Sequence, residues 1–283
     1  MEHTPPLWLV VNAASGSNDP DAVKAVEAAL AEAGHAPARI ITIPDDDLPD
    51  RAGLEAAGVG TLAIFTGDGT ANAQVALIQG WGGRVLILPG GTQNLLAKSL
   101  HGESDAPTIA RAVATLSPQR LRMVRTAQGD ALCEVLAGPG ATWSDVREEM
   151  RDGTLGGIAA SLGEALRQTT SGPPVRIAEP RIGRDEGYPA LRLYPGRRDM
   201  AVDGYGAQDL ADMARQGIAI LRRDFRTGPH DQLGEHAIVT CRSDQPIELM
   251  IDGERSTGKT EETFEIVDCD VDFLSSVRRH DND

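Results

Sequence analysis

Three short stretches of this chain combine glycine with oxygen-bearing side chains in a way that suits phosphate chemistry. Thr66-Gly67-Asp68-Gly69-Thr70-Ala71-Asn72 sets two glycines around a carboxylate. Glycine lets a backbone approach a ligand closely, and the first turn of a helix offers N–H groups to an anion. Asp68 would repel a phosphate directly, so its productive use is to hold Mg²⁺ between carboxylate and phosphates. Pro89-Gly90-Gly91-Thr92-Gln93-Asn94 adds a hydroxyl and an amide, and Asn12-Ala13-Ala14-Ser15-Gly16 is the third stretch. Any one alone reads as a tight turn with a helix cap. Three at one edge of one sheet favour a ligand.

A fourth stretch, Asp252-Gly253-Glu254, sets two carboxylates side by side. Neighbouring carboxylates can raise one pKa toward the range useful for a general base. An ordinary acidic hairpin tip explains the same residues equally well. Gly253 to Thr260 also fits the P-loop pattern letter for letter. That loop must open a helix within a parallel nucleotide-binding core. Only 23 residues follow Thr260, and Glu261-Glu262-Thr263-Phe264 reads as strand, so the P-loop is set aside. A hairpin with Asp252-Gly253 as its turn is expected instead. Cys133, Cys241 and Cys269 are odd in number and widely spaced, and with the six histidines they show no zinc spacing. Reduced thiols in a cytoplasm are expected.

The elements that must carry these residues change character along the chain. Leu7–Val11, Arg39–Ile43, Leu62–Phe65 and Val85–Leu88 are short apolar runs that read as buried strands. Helices are expected between them: one opened by Asp19-Pro20 and stopped by Gly34, a weaker one over 50–57, one after Thr70 and one reaching about Leu100. Such alternation means a parallel sheet, with the three polar stretches beyond the carboxyl ends of its strands. After residue 120 many short strands are expected: 121–126, 131–137, 175–178, 190–194, 236–241, 247–251 and 263–267. Only two helices stand out there, near 144–169 and 208–217. This half reads as a sandwich or barrel. With 283 residues, close to twice a typical domain of ~150, two domains are expected. They are 1–120, α/β, and 121–283, β-rich, with the final residues open to a return into the first.

There are 42 acidic and 27 basic residues, a net charge of −15, with an acidic excess in both halves. A nucleic acid or an anionic membrane surface would meet a repulsive field, so no nucleic-acid partner is expected. The arginine clusters at 197–198, 222–226 and 278–279 read as solvated surface. The longest apolar run, Leu7–Val11, is far short of a membrane span of ~20 residues. The start, Met1-Glu2-His3-Thr4-Pro5-Pro6, has neither a basic nor an apolar region, so no signal peptide is expected.

Taken together, Asn12 with Ser15-Gly16, Gly67-Asp68-Gly69-Thr70-x-Asn72, Pro89-x-Gly91-Thr92-x-Asn94 with Ala97-Lys98, and Asp252-Gly253-Glu254 resemble the diacylglycerol kinase catalytic-domain family. These are soluble bacterial lipid kinases related to sphingosine kinases. The resemblance implies a nucleotide-binding α/β domain similar to NAD kinase and phosphofructokinase, a β-rich lipid-substrate domain, and ATP in the cleft between them. It implies that Asn12, Ser15, Gly16, Thr42, Thr66, Gly67, Asp68, Gly69, Thr70, Asn72 and Thr92 contact ATP. Asp68 would sit by the catalytic Mg²⁺, and Glu254, with Asp252 beside it, would accept the proton of a lipid hydroxyl. The implied partners are ATP and a lipid or lipid-like alcohol, met through transient contact with a membrane surface; a homodimer is left open.

The chain also departs from the family pattern. Thr66 stands for a usual glycine, Ala13 for a proline, and Ala73 and Leu95 for two usual carboxylates. The segment 185–191 stands where a structural metal loop would be expected. Two alternatives follow: a nucleotide-binding member with weak or lost kinase activity, and an enzyme similar to NAD kinase.

Overall fold

In a computed structural model the described residues are 5–13, 19–139, 172–206 and 230–277. Ser15, Gly16, the two expected helices near 144–169 and 208–217, and the arginines at 222–226 and 278–279 lie outside them. Two compact units form: Met1–Arg122 with Asp268–Asp283, and Met123–Val267. No helix among the described residues is long and apolar enough to cross a membrane.

In the first unit β1 (Leu7–Asn12), β2 (Pro37–Ile43), β3 (Thr61–Thr66) and β4 (Arg84–Pro89) pair in parallel, in the order β2-β1-β3-β4. The far end of a long strand, β15 (Glu261–Ser275), adds parallel to β4, with Asp272 opposite Arg84. Helix starts follow their caps. Asp19 accepts the N–H groups of Asp21 and Ala22 at 3.0 and 2.7 Å before α1 (Pro20–Glu32), with proline in the first turn. Asp50 does the same for α2 (Arg51–Ala56). Next come α3 (Asp68–Leu77), which begins within the first glycine-rich stretch, and α4 (Leu95–His101), which begins directly after the second. The sequence reading lacks α5 (Ala106–Arg111), although Asp105, with a proline in the first turn, is a start signal of the same kind. The buried faces of α1 and α5 meet the strands in a core that includes Leu9, Val11, Leu30, Phe65, Leu86 and Ile109.

The second unit is built from short antiparallel strands. One sheet has the order β11-β10-β9-β7-β13-β14, from β7 (Val135–Ala137), β9 (Ala190–Pro195), β10 (Met200–Tyr205), β11 (Asp231–His236), β13 (Glu248–Ile251) and β14 (Glu254–Thr257). The other combines β5 (Ser117–Thr126), β6 (Gly129–Ala131), β8 (Arg176–Glu179), β12 (Ile238–Arg242) and the start of β15. Val135, Leu191, Leu193, Val202 and Leu249 of the first meet Val124, Ile177, Val239, Cys241 and Phe264 of the second in one core. That is sandwich packing. The α/β and β-rich character of the two halves is as expected from the sequence. Three details differ. The strand expected over 131–137 is two strands in different sheets. Two strands, β10 and β11, were not expected, because Asp203, Gly204 and Gly234 dilute their β character. The strand expected over 263–267 runs on to Ser275.

Candidate active site

The sheet order places a topological switch between β1 and β3, whose chain connections leave in opposite directions. In open parallel sheets the ligand crevice opens at that point, beyond the carboxyl ends. There Val11 pairs with Thr42 and Phe65, and Thr66 pairs with Pro89, so the polar stretches emerge in register. Asn12 Nδ2 donates to Thr70 Oγ1 at 3.2 Å and bridges the switch from β1 to the first turn of α3. Thr42 is fixed by Asp46, whose carboxylate accepts the Thr42 N–H and whose own N–H reaches the Thr42 carbonyl, both at 2.8 Å.

Helix α3 starts at Asp68, so Asp68, Gly69 and Thr70 are its first turn and not a preceding loop. Gly67 is its N-cap and supplies no side-chain hydrogen bond, in contrast to Asp19, Asp50 and Asp105. The first-turn N–H groups of a helix without a side-chain cap are what a phosphate can use. The neighbouring helix differs. Asp68 Oδ2 and Oδ1 accept the N–H groups of Leu95 and Leu96, both at 3.0 Å, so the α4 start is already met by a carboxylate. The second glycine-rich stretch is therefore not an equivalent phosphate cradle. It closes on itself: Asn94, at φ 54°, accepts the Gly91 N–H at 2.7 Å and donates to the Gly91 carbonyl at 2.8 Å. Thr92 stays exposed.

The two stretches touch. A Cβ on Gly91 would lie 2.5 Å from Gly67 Cα, closer than real Cβ atoms come to backbone. Thr66, 3% exposed, donates its hydroxyl to the Gly67 carbonyl at 3.1 Å and so shapes the turn from within. Gly69 and Asn72 are half-buried, and Ala73 is exposed.

In the second unit β13 and β14 form the expected two-residue hairpin, with Ile251 opposite Glu254. Asp252 and Gly253 have φ 46° and 91°, and positive φ at both positions defines the type I′ turn. The two acids do not share an exposed tip. Asp252 is 4% exposed and turned inward. Its Oδ2 accepts the Leu132 N–H at 2.6 Å, and its Oδ1 accepts those of Cys133 and Glu134 at 2.9 and 2.8 Å. Those donors belong to the link between β6 and β7, which explains why the strand expected over 131–137 breaks there. A buried aspartate with three N–H donors is an anchor. Glu254 is exposed.

A carboxylate oxygen can accept an N–H and still coordinate a cation, and Mg²⁺ is commonly held by one or two carboxylates plus substrate phosphates. Asp68, beside an α3 start suited to phosphate, fits a nucleotide-borne Mg²⁺ on those terms. Among the described residues no group of three His, Cys, Asp or Glu could hold a metal by itself. Segment 185–191 does not fit a structural metal loop. Asp185 and Glu186 are exposed, and Arg184 grips Asp231 with two N–H donors at 2.8 and 3.2 Å. The Tyr188 hydroxyl donates to Asp231 at 2.9 Å, and burial with that bond pushes its pKa up to about 12. An arginine cation thus organises this loop.

Residues 6–126 match the diacylglycerol kinase catalytic domain, which makes this part of the chain kinase-like. No curated protein sequence matches the chain. The crystal structure of a diacylglycerol kinase from Bacillus anthracis str. Sterne aligns at a TM-score of 0.66, with 16% identity over 96% of this chain and 97% of that one. A second structure from the same organism aligns at 0.64, with 15% identity and the same coverage. At these identities the likeness concerns the fold, and it extends over both units.

Proposed function

We propose that the protein is an ATP- and Mg²⁺-dependent kinase that transfers the γ-phosphate to a hydroxyl of a lipid such as diacylglycerol. The observation that carries the reading is the α3 start: no side-chain cap, beside Asp68, at the switch between β1 and β3, inside the span matching the diacylglycerol kinase catalytic domain. The N–H groups of Asp68, Gly69 and Thr70 receive nucleotide phosphates. Asn12, Thr42, Asn72 and Thr92, with Ser15 and Gly16, line the nucleotide, while Thr66 and Gly67 shape the turn. Asp68 holds the Mg²⁺, which when bound supplies charge neutralisation at the phosphates. Glu254 accepts the proton of the acceptor hydroxyl as its oxygen attacks the γ-phosphorus, and ADP leaves with the bridging oxygen. Phosphoryl transfer asks for positioning, neutralisation and a base, and these residue types provide them. Contact with the membrane surface is transient and the protein works in the cytoplasm.

Ala73 and Leu95, where the family pattern has carboxylates, favour a second reading, a nucleotide-binding protein with little or no transfer. One assay separates the two. The protein is incubated with γ-labelled ATP, Mg²⁺ and a bacterial lipid extract, beside Glu254→Gln and Asp68→Asn. Label in the organic phase that disappears in both variants is expected. ATP binding without organic label would favour the second reading, and label in a water-soluble nucleotide product would point to chemistry like that of NAD kinase.

A further inference from the structure

Behind the hairpin lies a buried ionic chain with no direct part in the proton or phosphoryl transfer. Its hub is Glu134, a residue with 4% exposure. Its N–H donates to the Asp252 carboxylate at 2.8 Å, and its carbonyl accepts the Asp252 N–H at 3.0 Å. Its carboxylate accepts the Arg192 Nε–H at 2.7 Å, on the neighbouring strand β9. Arg192 is fixed in turn. Its Nη1 lies 3.7 Å from Asp203 on β10, its guanidinium stacks 4.0 Å over the Tyr194 ring, and His230 Nε2 lies 3.8 Å from Asp203. Leu191 and Leu193 enter the core, so alternation sends Arg192 to the opposite face of the sheet.

Such a chain is a weak source of stability, because desolvating the ions offsets most of their attraction. Its strength is geometric. A planar guanidinium on a carboxylate, with that same residue's backbone clamped to Asp252, fixes the turn from which Glu254 projects. We infer that Glu134 and Arg192 are positioning residues for the Glu254 hairpin, with Asp252 as the clamp between them, an inference that rests on reading Glu254 as the proton acceptor. Small displacements of a reacting group are enough to lower turnover by ~100-fold without touching nucleotide affinity.

Two readouts on Arg192→Met and Glu134→Gln test this, one of them independent of activity. Cys133 lies in the clamped link and is half-exposed, whereas Cys241 and Cys269 are fully buried, so maleimide labelling of the native protein reports on the link. Both variants are expected to label Cys133 about tenfold faster than wild type, as local opening becomes easier. Both are expected to lower kcat for lipid phosphorylation by ~30-fold or more with the KM for ATP unchanged. Arg242→Ala, which breaks the exposed Arg242–Glu261 pair on the other sheet of the unit, is the control and should leave Cys133 labelling and kcat as in wild type. Unchanged labelling in both variants overturns the inference. So does faster labelling with wild-type kcat, which would make the chain merely structural. If wild type transfers no phosphate to lipid, the proposed function fails by itself, and unaltered labelling would separately remove the clamp.

Discussion

Asp68 joins two helix starts, and that makes its substitution more than a test of metal binding. Its oxygens take the Leu95 and Leu96 N–H groups at 3.0 Å. In Asp68→Asn one of those N–H groups would face an amide nitrogen, and a lost charge-assisted bond of this kind costs about 1–3 kcal/mol. The variant should therefore show a lower urea midpoint as well as lost turnover, and its ATP affinity should be measured at a temperature where it remains folded. Full stability in Asp68→Asn would mean that the link to α4 matters little. Gly91 makes the complementary case. With Gly67 Cα 2.5 Å from where a Cβ would stand, Gly91→Ala has to push the two stretches apart. A shift of this size should weaken binding of a fluorescent ATP analogue about tenfold or more, while Gly82→Ala, with nothing within 4 Å, should bind as wild type. Equal affinities would show that the close approach has no bearing on the nucleotide.

Elements reward local signals and hide long-range ones. Asp19-Pro20, Asp50 and Gly34 mark helix ends through hydrogen bonds and backbone angles that neighbouring residues decide, so these were legible in the sequence. The Asp252-Gly253 turn was legible for the same reason. That Asp252 faces inward was not, because its donors are more than a hundred residues away. Glu134 and Arg192, 58 positions apart, gave no sequence signal beyond the alternation around Leu191 and Leu193. The run of β15 to Ser275 does carry a local signal, a period-two alternation. Asp268, Asp270 and Asp272 alternate with Cys269, Val271 and Phe273, which have no exposure at all. Arg120 pairs with both Asp270 and Asp272, which balances the acidic row on the exposed face of the strand. If this end of β15 is integral to the first unit, Phe273→Ala should cost about 3–5 kcal/mol in a denaturation followed by Trp8 and Trp81 fluorescence. A loss below about 1 kcal/mol would mean that the strand end contributes little to that unit.

Across the whole molecule, pH acts through two opposing effects. Acidification neutralises part of an excess that amounts to −15 at pH 7, which relieves self-repulsion and favours the folded state. His101 acts in the other direction. It is 4% exposed at the end of α4, with Nδ1 3.0 Å from Ser276 Oγ, and burial lowers its pKa from 6.5 to about 4, partly offset by the Ile87 backbone. Between those values the unfolded chain takes up a proton that the folded chain refuses. Stability is then full above pH 6.5 and falls as the pH drops toward 4, by up to about 3 kcal/mol. Asp231, whose carboxyl is held below its usual range by Arg184 and Tyr188, enters only below pH 4, so the two windows are distinct. Salt separates the remaining effects: at 0.5 M the charge repulsion is largely screened, while a buried histidine is not. Urea denaturation at that ionic strength should show stability declining from pH 6.5 to 4.5 in wild type and much more weakly in His101→Gln, whatever the variant's baseline. Parallel slopes in the two proteins would assign the acid lability to another group.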